Sequence, residues 1–252
     1  MANTAAQQLF ERFTKDGESP AHYGYFDRPL REQVLRELTN GAGQTSSVIT
    51  RNAYGADILN CSGAMFLDVD TADDEAADRP PGLLARLFGK ASTPAAPPRS
   101  PEKMLINKLE TWLANHRDWN CRLYRTRAGF RLLATHALFD PETAASNGVF
   151  SALGVDPLYR RLCQVQKCFR ARLTPKPWRC NSRVPPARWP WNSARDEARF
   201  NEWQKRYSEK CRNLATCSFL GAFGSNTVHP EVEPVIAHHD EATRAHSQLS
   251  LA

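Results

Sequence analysis

No run of eighteen apolar residues occurs in this chain, so no helix is expected to cross a membrane. The opening residues 1–8 lack the basic start and apolar stretch of a secretory signal. Both absences point to a cytoplasmic protein whose thiols stay reduced. No internal repeat is visible, so a solenoid or propeller is not expected. The seven cysteines are odd in number and irregular in spacing, which argues against a disulfide framework. Cys163-x4-Cys168-x11-Cys180 fits no common zinc spacing. Buried free thiols are therefore expected, with a zinc site of Cys168, Cys180 and a histidine as the alternative. His238 and His239 read as surface residues.

What the chain does have is a concentrated charge. Residues 117–188 hold 14 Lys or Arg against 4 Asp or Glu, whereas the remainder holds 19 basic against 23 acidic. A basic block inside a mildly acidic protein suits a polyanion: nucleic acid, nucleotide phosphates or a membrane surface. Arginines that merely solvate helix faces are the competing explanation. It accounts less well for basic residues inside strand-like runs.

Periodicity gives the organisation. Helices are expected over 4–13, over 27–40 with Leu30, Val34, Leu35 and Leu38 on one face, and from Ser100-Pro101-Glu102 to about 117. Further helices are expected from Asp140 to about 153, from Asp156-Pro157 onward, from Ser193 with Phe200, Trp203, Tyr207 and Cys211 on one stripe, and in a His/Glu-rich stretch after Asn226. Strands are expected over 46–52, 64–70, 122–126, 130–136, 169–173 and 215–223. The first two would form a hairpin through the turn Asn52-Ala-Tyr-Gly55. Residues 71–99, acidic and then Ala/Pro-rich, read as an insertion or mobile loop, and 240–252 as a flexible tail. Within the insertion, the amphipathic piece 82–90 would dock a protein partner or pack back on its own domain. The sum is a single α+β domain over 1–252: a mostly antiparallel sheet with helices packed against it.

The most pointed motif is Ala-Met-Phe-Leu-Asp-Val-Asp over 64–70. An apolar run ends in Asp68 and Asp70, which share one face of a strand. Like charges that close repel unless a cation sits between them. Mg²⁺ or Mn²⁺ is the natural candidate, because hard cations take one or two carboxylates plus ligand phosphates. The competing account is a strand end entering an acidic loop.

Two basic segments supply the complement. Tyr124-Arg-Thr-Arg-Ala-Gly-Phe-Arg131 reads as a hairpin in which Thr126, Arg127, Gly129 and Arg131 could meet a triphosphate. Phe169-Arg-Ala-Arg-Leu-Thr-Pro-Lys176 puts Arg170 and Arg172 on one strand face, close to Asp68 and Asp70, with Lys176 fixed between prolines. Trp178, Trp189 and Trp191 alternate with arginines and could stack the bases of a single strand. Packing of a Pro-rich loop is the other use for them.

This order of motifs resembles the archaeo-eukaryotic primase superfamily over about 46–178. Phe66-Leu-Asp-Val-Asp70 matches its Asp-x-Asp strand, and Thr126-Arg-Ala-Gly-Phe-Arg131 looks like its phosphate-contacting hairpin. The family's histidine position is Arg131 here, and its third acid has no counterpart beyond Asp140, which reads as a helix cap. The resemblance implies that Asp68 and Asp70 hold Mg²⁺ or Mn²⁺ for nucleotidyl transfer, with Arg131, Arg172 and Lys176 on a nucleoside triphosphate. The alternative is a non-catalytic protein that binds single-stranded nucleic acid, or a regulatory interaction protein, using the same basic surface.

Overall fold

A computed structural model describes residues 32–71 and 100–252. The expected helix over 4–13 and the docking piece 82–90 lie outside the described residues. The fold is α+β, but its strands form two four-stranded antiparallel sheets rather than one.

The first sheet has the order β1-β2-β3-β7, built from β1 (Gln33–Thr39), β2 (Thr45–Arg51), β3 (Asp57–Cys61) and β7 (Phe169–Arg172). The second has the order β4-β6-β5-β9, built from β4 (Phe66–Asp70), β5 (Asn120–Thr126), β6 (Gly129–Ala134) and β9 (Cys217–Gly224). A short parallel pair joins β8 (Leu214–Ala215) to β10 (Ser250–Leu251), so residues 250–251 are paired to the body of the protein. The helices are α1 (Pro101–Asn115), α2 (Ala144–Leu153), α3 (Pro157–Gln166), α4 (Ala194–Cys211) and α5 (Glu233–Thr243), with a 3-10 turn at Pro177–Cys180.

Two expectations need correction. The described part of the segment read as a helix over 27–40 is strand β1, antiparallel to β2. Short apolar runs fit either period, and here the hydrogen-bonding partner decides. The expected hairpin of 46–52 with 64–70 does not form. Asp-Ile-Leu-Asn-Cys over 57–61 intervenes as β3 and pairs with β2 through the Asn52–Gly55 turn. The bend at Ser62-Gly63 then sends β4 into the other sheet.

One apolar core joins the two sheets. Leu59, Cys61 and Phe169 from the first pack with Phe66, Leu67, Leu123 and Leu132 from the second, under Leu105 and Leu109 of α1 and Val149, Phe150 and Leu153 of α2. β6 lies inside its sheet, between β4 and β5, and is buried along its whole length. The sheets meet where β4 approaches β7. Tyr159 of α3 ties that seam. Its hydroxyl lies 2.9 Å from the Phe66 carbonyl and 3.0 Å from the Arg170 carbonyl, and it accepts the Arg170 N–H at 3.2 Å.

Candidate functional site

The seam opens into a cleft of about 350 Å³. Asp68 and Asp70 line it from β4, and Arg131 from β6. Arg172 comes from the end of β7, and Lys176 and Arg179 from the segment that follows. Apolar surface comes from Phe130 and from Leu158 and Leu162 of α3. The sequence-predicted Asp68, Asp70, Thr126, Arg131, Arg172 and Lys176 thus converge. Arg127 sits exposed at the hairpin turn and is not in the cleft wall.

Local structure explains each position. Antiparallel pairing sets Asp68 opposite Arg131 and Asp70 opposite Gly129. Gly129 serves this close approach: a Cβ there would stand 2.2 Å from the Val69 carbonyl oxygen. Its backbone works on β4, with no role toward a ligand required to explain it. The Asp156 N–H donates to the Asp68 carbonyl at 3.0 Å, which pins the start of α3 to β4.

Arg131 is not poised for a triphosphate. It is 1 % exposed. Its Nε donates to Asp68 Oδ1 at 2.9 Å, its Nη2 reaches Asp68 Oδ2 at 3.5 Å, and its Nη1 donates to the Arg172 carbonyl at 3.0 Å. Burial opposes the guanidinium charge, but Asp68 outweighs it and the pKa stays raised. Arg131 therefore neutralises Asp68 and clamps β6 to β7.

Behind Arg131 lies a network that the sequence did not announce. His239, expected at the surface, is completely buried, with Nε2 at 3.4 Å from Arg131 Nη1 and Nδ1 at 3.0 Å from Asp240 Oδ1. Burial lowers its pKa to about 4, so the ring is neutral at neutral pH. The hydrogen bond to Asp240 assigns the proton to Nδ1 and leaves Nε2 to accept from Arg131. Burial alone would raise Asp240. Hydrogen bonds from His239, Tyr124 and His246 and the charge of Arg122 outweigh it and hold the carboxyl at about 2. Arg122 Nη2 meets Asp240 Oδ2 at 2.5 Å.

Cys217 Sγ stands 3.8 Å from His239 Nε2, giving a Cys-His-Asp order like that of a nucleophile triad. Both Cys217 and His239 are 0 % exposed, and burial raises the thiol. A nucleophile needs access and thiolate character, so this trio is packing.

The remaining predicted residues separate. Arg170 pairs with Glu32 at 2.8 Å and with Gln166 at 2.7 Å, not with Asp68 or Asp70. Trp178 is 40 % exposed beside the cleft, with Lys176 Nζ 5.5 Å from its ring and Tyr54 edge-on at 5.4 Å. Trp189 is half-buried. Trp191 packs on Phe200 at 4.7 Å in the small core of α4, so a stacking role does not fit it. Asp140 accepts the Glu142 N–H at 2.8 Å and does not line the cleft.

Asp156, Tyr159, Leu158, Leu162 and Arg179 also line the cleft, and no motif in the sequence marks them. Asp156 was legible only as a helix start. It is the third carboxylate of the cleft, yet its oxygens are used in capping, accepting from Leu158 N–H and Tyr159 N–H at 3.1 Å each.

These contacts bound the metal chemistry. Asp68 already faces Arg131 through both oxygens, Asp156 caps α3, and no group of three His, Cys, Asp or Glu among the described residues could hold a metal ion. Asp70 is the one cleft carboxylate that neither faces Arg131 nor caps α3. The zinc alternative also lacks its ligands. Cys168 packs with Val48, whereas Cys180 packs with Cys211 in a different cluster. All seven cysteines are buried free thiols. Among the described residues no helix is long and apolar enough to cross a membrane. No family model, curated protein or solved structure matches the chain.

Proposed function

We propose that the cleft binds a nucleotide. Its phosphates lie against Arg172, Lys176 and Arg179, and its base lies against Leu158 and Leu162. The observation that carries this is the convergence of three cationic side chains, a strand-end carboxylate and an apolar helix face in one cleft of about 350 Å³. Ligand clefts of about 300–1,000 Å³ hold small molecules in this manner, with a few polar groups fixing orientation. Guanidinium forks suit phosphate oxygens, and the lysine adds a point charge. Mg²⁺ or Mn²⁺, if bound, would be held by Asp70 with Asp68 beside it and would neutralise phosphate charge there. The chain's own residues supply binding and orientation. A two-cation nucleotidyl transfer is not part of this reading.

A double substitution, Lys176→Ala with Arg179→Ala, tests it. Titration calorimetry with a nucleoside triphosphate should show affinity falling by more than tenfold while the thermal midpoint holds. Unchanged affinity contradicts the reading.

A second reading has its own support in Trp178, whose exposed ring lies beside Lys176. A single strand could stack a base there while its backbone follows the basic wall. Affinity that grows with oligonucleotide length, falls steeply with salt and ignores EDTA would favour this reading over the mononucleotide.

A further inference from the structure

The Cys180 and Cys211 sulfurs are 3.6 Å apart, with the Cys211 thiol donating to the Cys180 sulfur. Cys180 ends the 3-10 turn, directly after Arg179 of the cleft wall, and Cys211 ends α4. We propose that these two thiols form a redox-active pair that hydrogen peroxide closes into an intramolecular disulfide.

Three observations support it. The first is reach. A disulfide needs sulfurs about 2 Å apart, and these two are already in contact at 3.6 Å. The second is a fixed frame on both sides. Tyr207 donates its hydroxyl to the Pro175 carbonyl at 2.5 Å, and Lys210 Nζ donates to the Asn181 carbonyl at 2.5 Å. Arg244 Nη1 donates to the Cys211 carbonyl at 2.8 Å. The segment on either side of Cys180 is thereby held against the last turn of α4, and α4 against Arg244. The third is a difference among the thiols. The hydrogen bond from Cys211 lowers the Cys180 pKa, whereas burial pushes Cys61, Cys121 and Cys163 up to about 12 and also raises Cys217. Thiolate character selects the cysteine that reacts.

The chemistry balances with peroxide as the oxidant. The Cys180 thiolate attacks one peroxide oxygen, the O–O bond breaks, and hydroxide leaves and is protonated to water. Cys180 is then a sulfenic acid. Cys211 loses its proton and attacks the Cys180 sulfur, and the S–O bond breaks to release a second water. Two thiols lose two electrons in all, and one peroxide becomes two waters. Cys180 is 6 % exposed and Cys211 9 %, so a small oxidant suits the pair better than a bulky disulfide. The new bond would staple the segment carrying Lys176 and Arg179 to α4.

The test uses the intact protein with stoichiometric peroxide, alkylation after denaturation without reductant, and peptide mass analysis. The expected result is one cross-linked species of the Cys180 and Cys211 peptides, two hydrogens lighter than their sum and reversed by a thiol reductant. In Cys211→Ser, Cys180 should accumulate as a sulfenic acid that dimedone labels. Recovery of both residues as thiols, or oxidation of another cysteine in their place, overturns the proposal. Absence of a dimedone adduct in Cys211→Ser overturns the assignment of Cys180 as the attacking sulfur. None of these readouts depends on what the cleft binds.

Discussion

Asp68 and Asp70 stand two residues apart on one face of one strand, yet they belong to different regions. Asp68 is at the floor of the cleft. It faces the buried Arg131, which in turn meets His239 and, through it, Asp240. Asp70 is at the exposed mouth, on the same cleft as Lys176 and Arg179. The floor uses charge to hold two sheets together. The mouth is where the proposed ligand would meet charge. An identical residue type in an identical strand pattern therefore has two surroundings, and the difference comes from what the neighbouring strand places opposite: Arg131 for Asp68 and Gly129 for Asp70.

The largest effect that could break this comparison is at the floor. Asp68→Ala leaves Arg131 buried without its carboxylate. Removing one partner of a buried pair costs about 3–5 kcal/mol, and the low end applies because Asp68 is itself 30 % exposed. A loss of about 3 kcal/mol is expected in urea unfolding, partly recovered in the double variant Asp68→Leu with Arg131→Met. Equal stability of Asp68→Ala and the unaltered protein would show that the floor pair is not structural. For the same reason, loss of ligand binding in Asp68→Ala alone says little about metal binding.

The second effect is a pH dependence of the floor. His239 has a folded pKa of about 4, below its ordinary 6.5. Between those values the unfolded chain binds the extra proton, so stability is full above about pH 6.5 and falls as pH drops toward 4. The change is of order 3 kcal/mol across that window. His239→Gln should flatten the slope of unfolding free energy against pH there. Asp240, held at about 2, extends the loss below pH 4.

The mouth gives smaller effects. Lys176→Ala should weaken a phosphate-bearing ligand by roughly tenfold and leave unfolding within about 0.5 kcal/mol. With a single-stranded oligonucleotide, the slope of log affinity against log salt should fall by about one. Asp70→Asn should have the least effect. It should weaken a nucleoside triphosphate only when Mg²⁺ is present, and change nothing in EDTA. A stability loss in Asp70→Asn as large as that in Asp68→Ala would erase the distinction between floor and mouth.

Much of the fold was legible, for identifiable reasons. Ser193 followed by the Phe200, Trp203, Tyr207 and Cys211 stripe gave α4, because a cap and a 3.6-residue period agree. The strand-like runs 122–126 and 130–136 on either side of Gly129 gave the β5-β6 hairpin to within two residues at each end. The segment around Leu35 was read in the wrong class, since its partner strand decided its state, and a single sequence does not display partners. The nearness of Asp68, Asp70, Arg172 and Lys176 was legible because chemistry and period coincide in short motifs. Tyr159, His239 and Asp240 were not, because they reach the seam from helices 93 residues from Phe66 and 108 residues from Arg131 along the chain. Burial, not motif, gives His239 its character.

On the proposed function, the cleft at the seam, and not another basic surface, receives the nucleotide. Photolabelling with a photoreactive nucleoside triphosphate, followed by peptide mapping, addresses it most directly. Label is expected on peptides within residues 156–179, competed by unlabelled nucleotide and lost in Lys176→Ala with Arg179→Ala. Competable label confined to peptides outside the cleft, and unaffected by that double substitution, would contradict it.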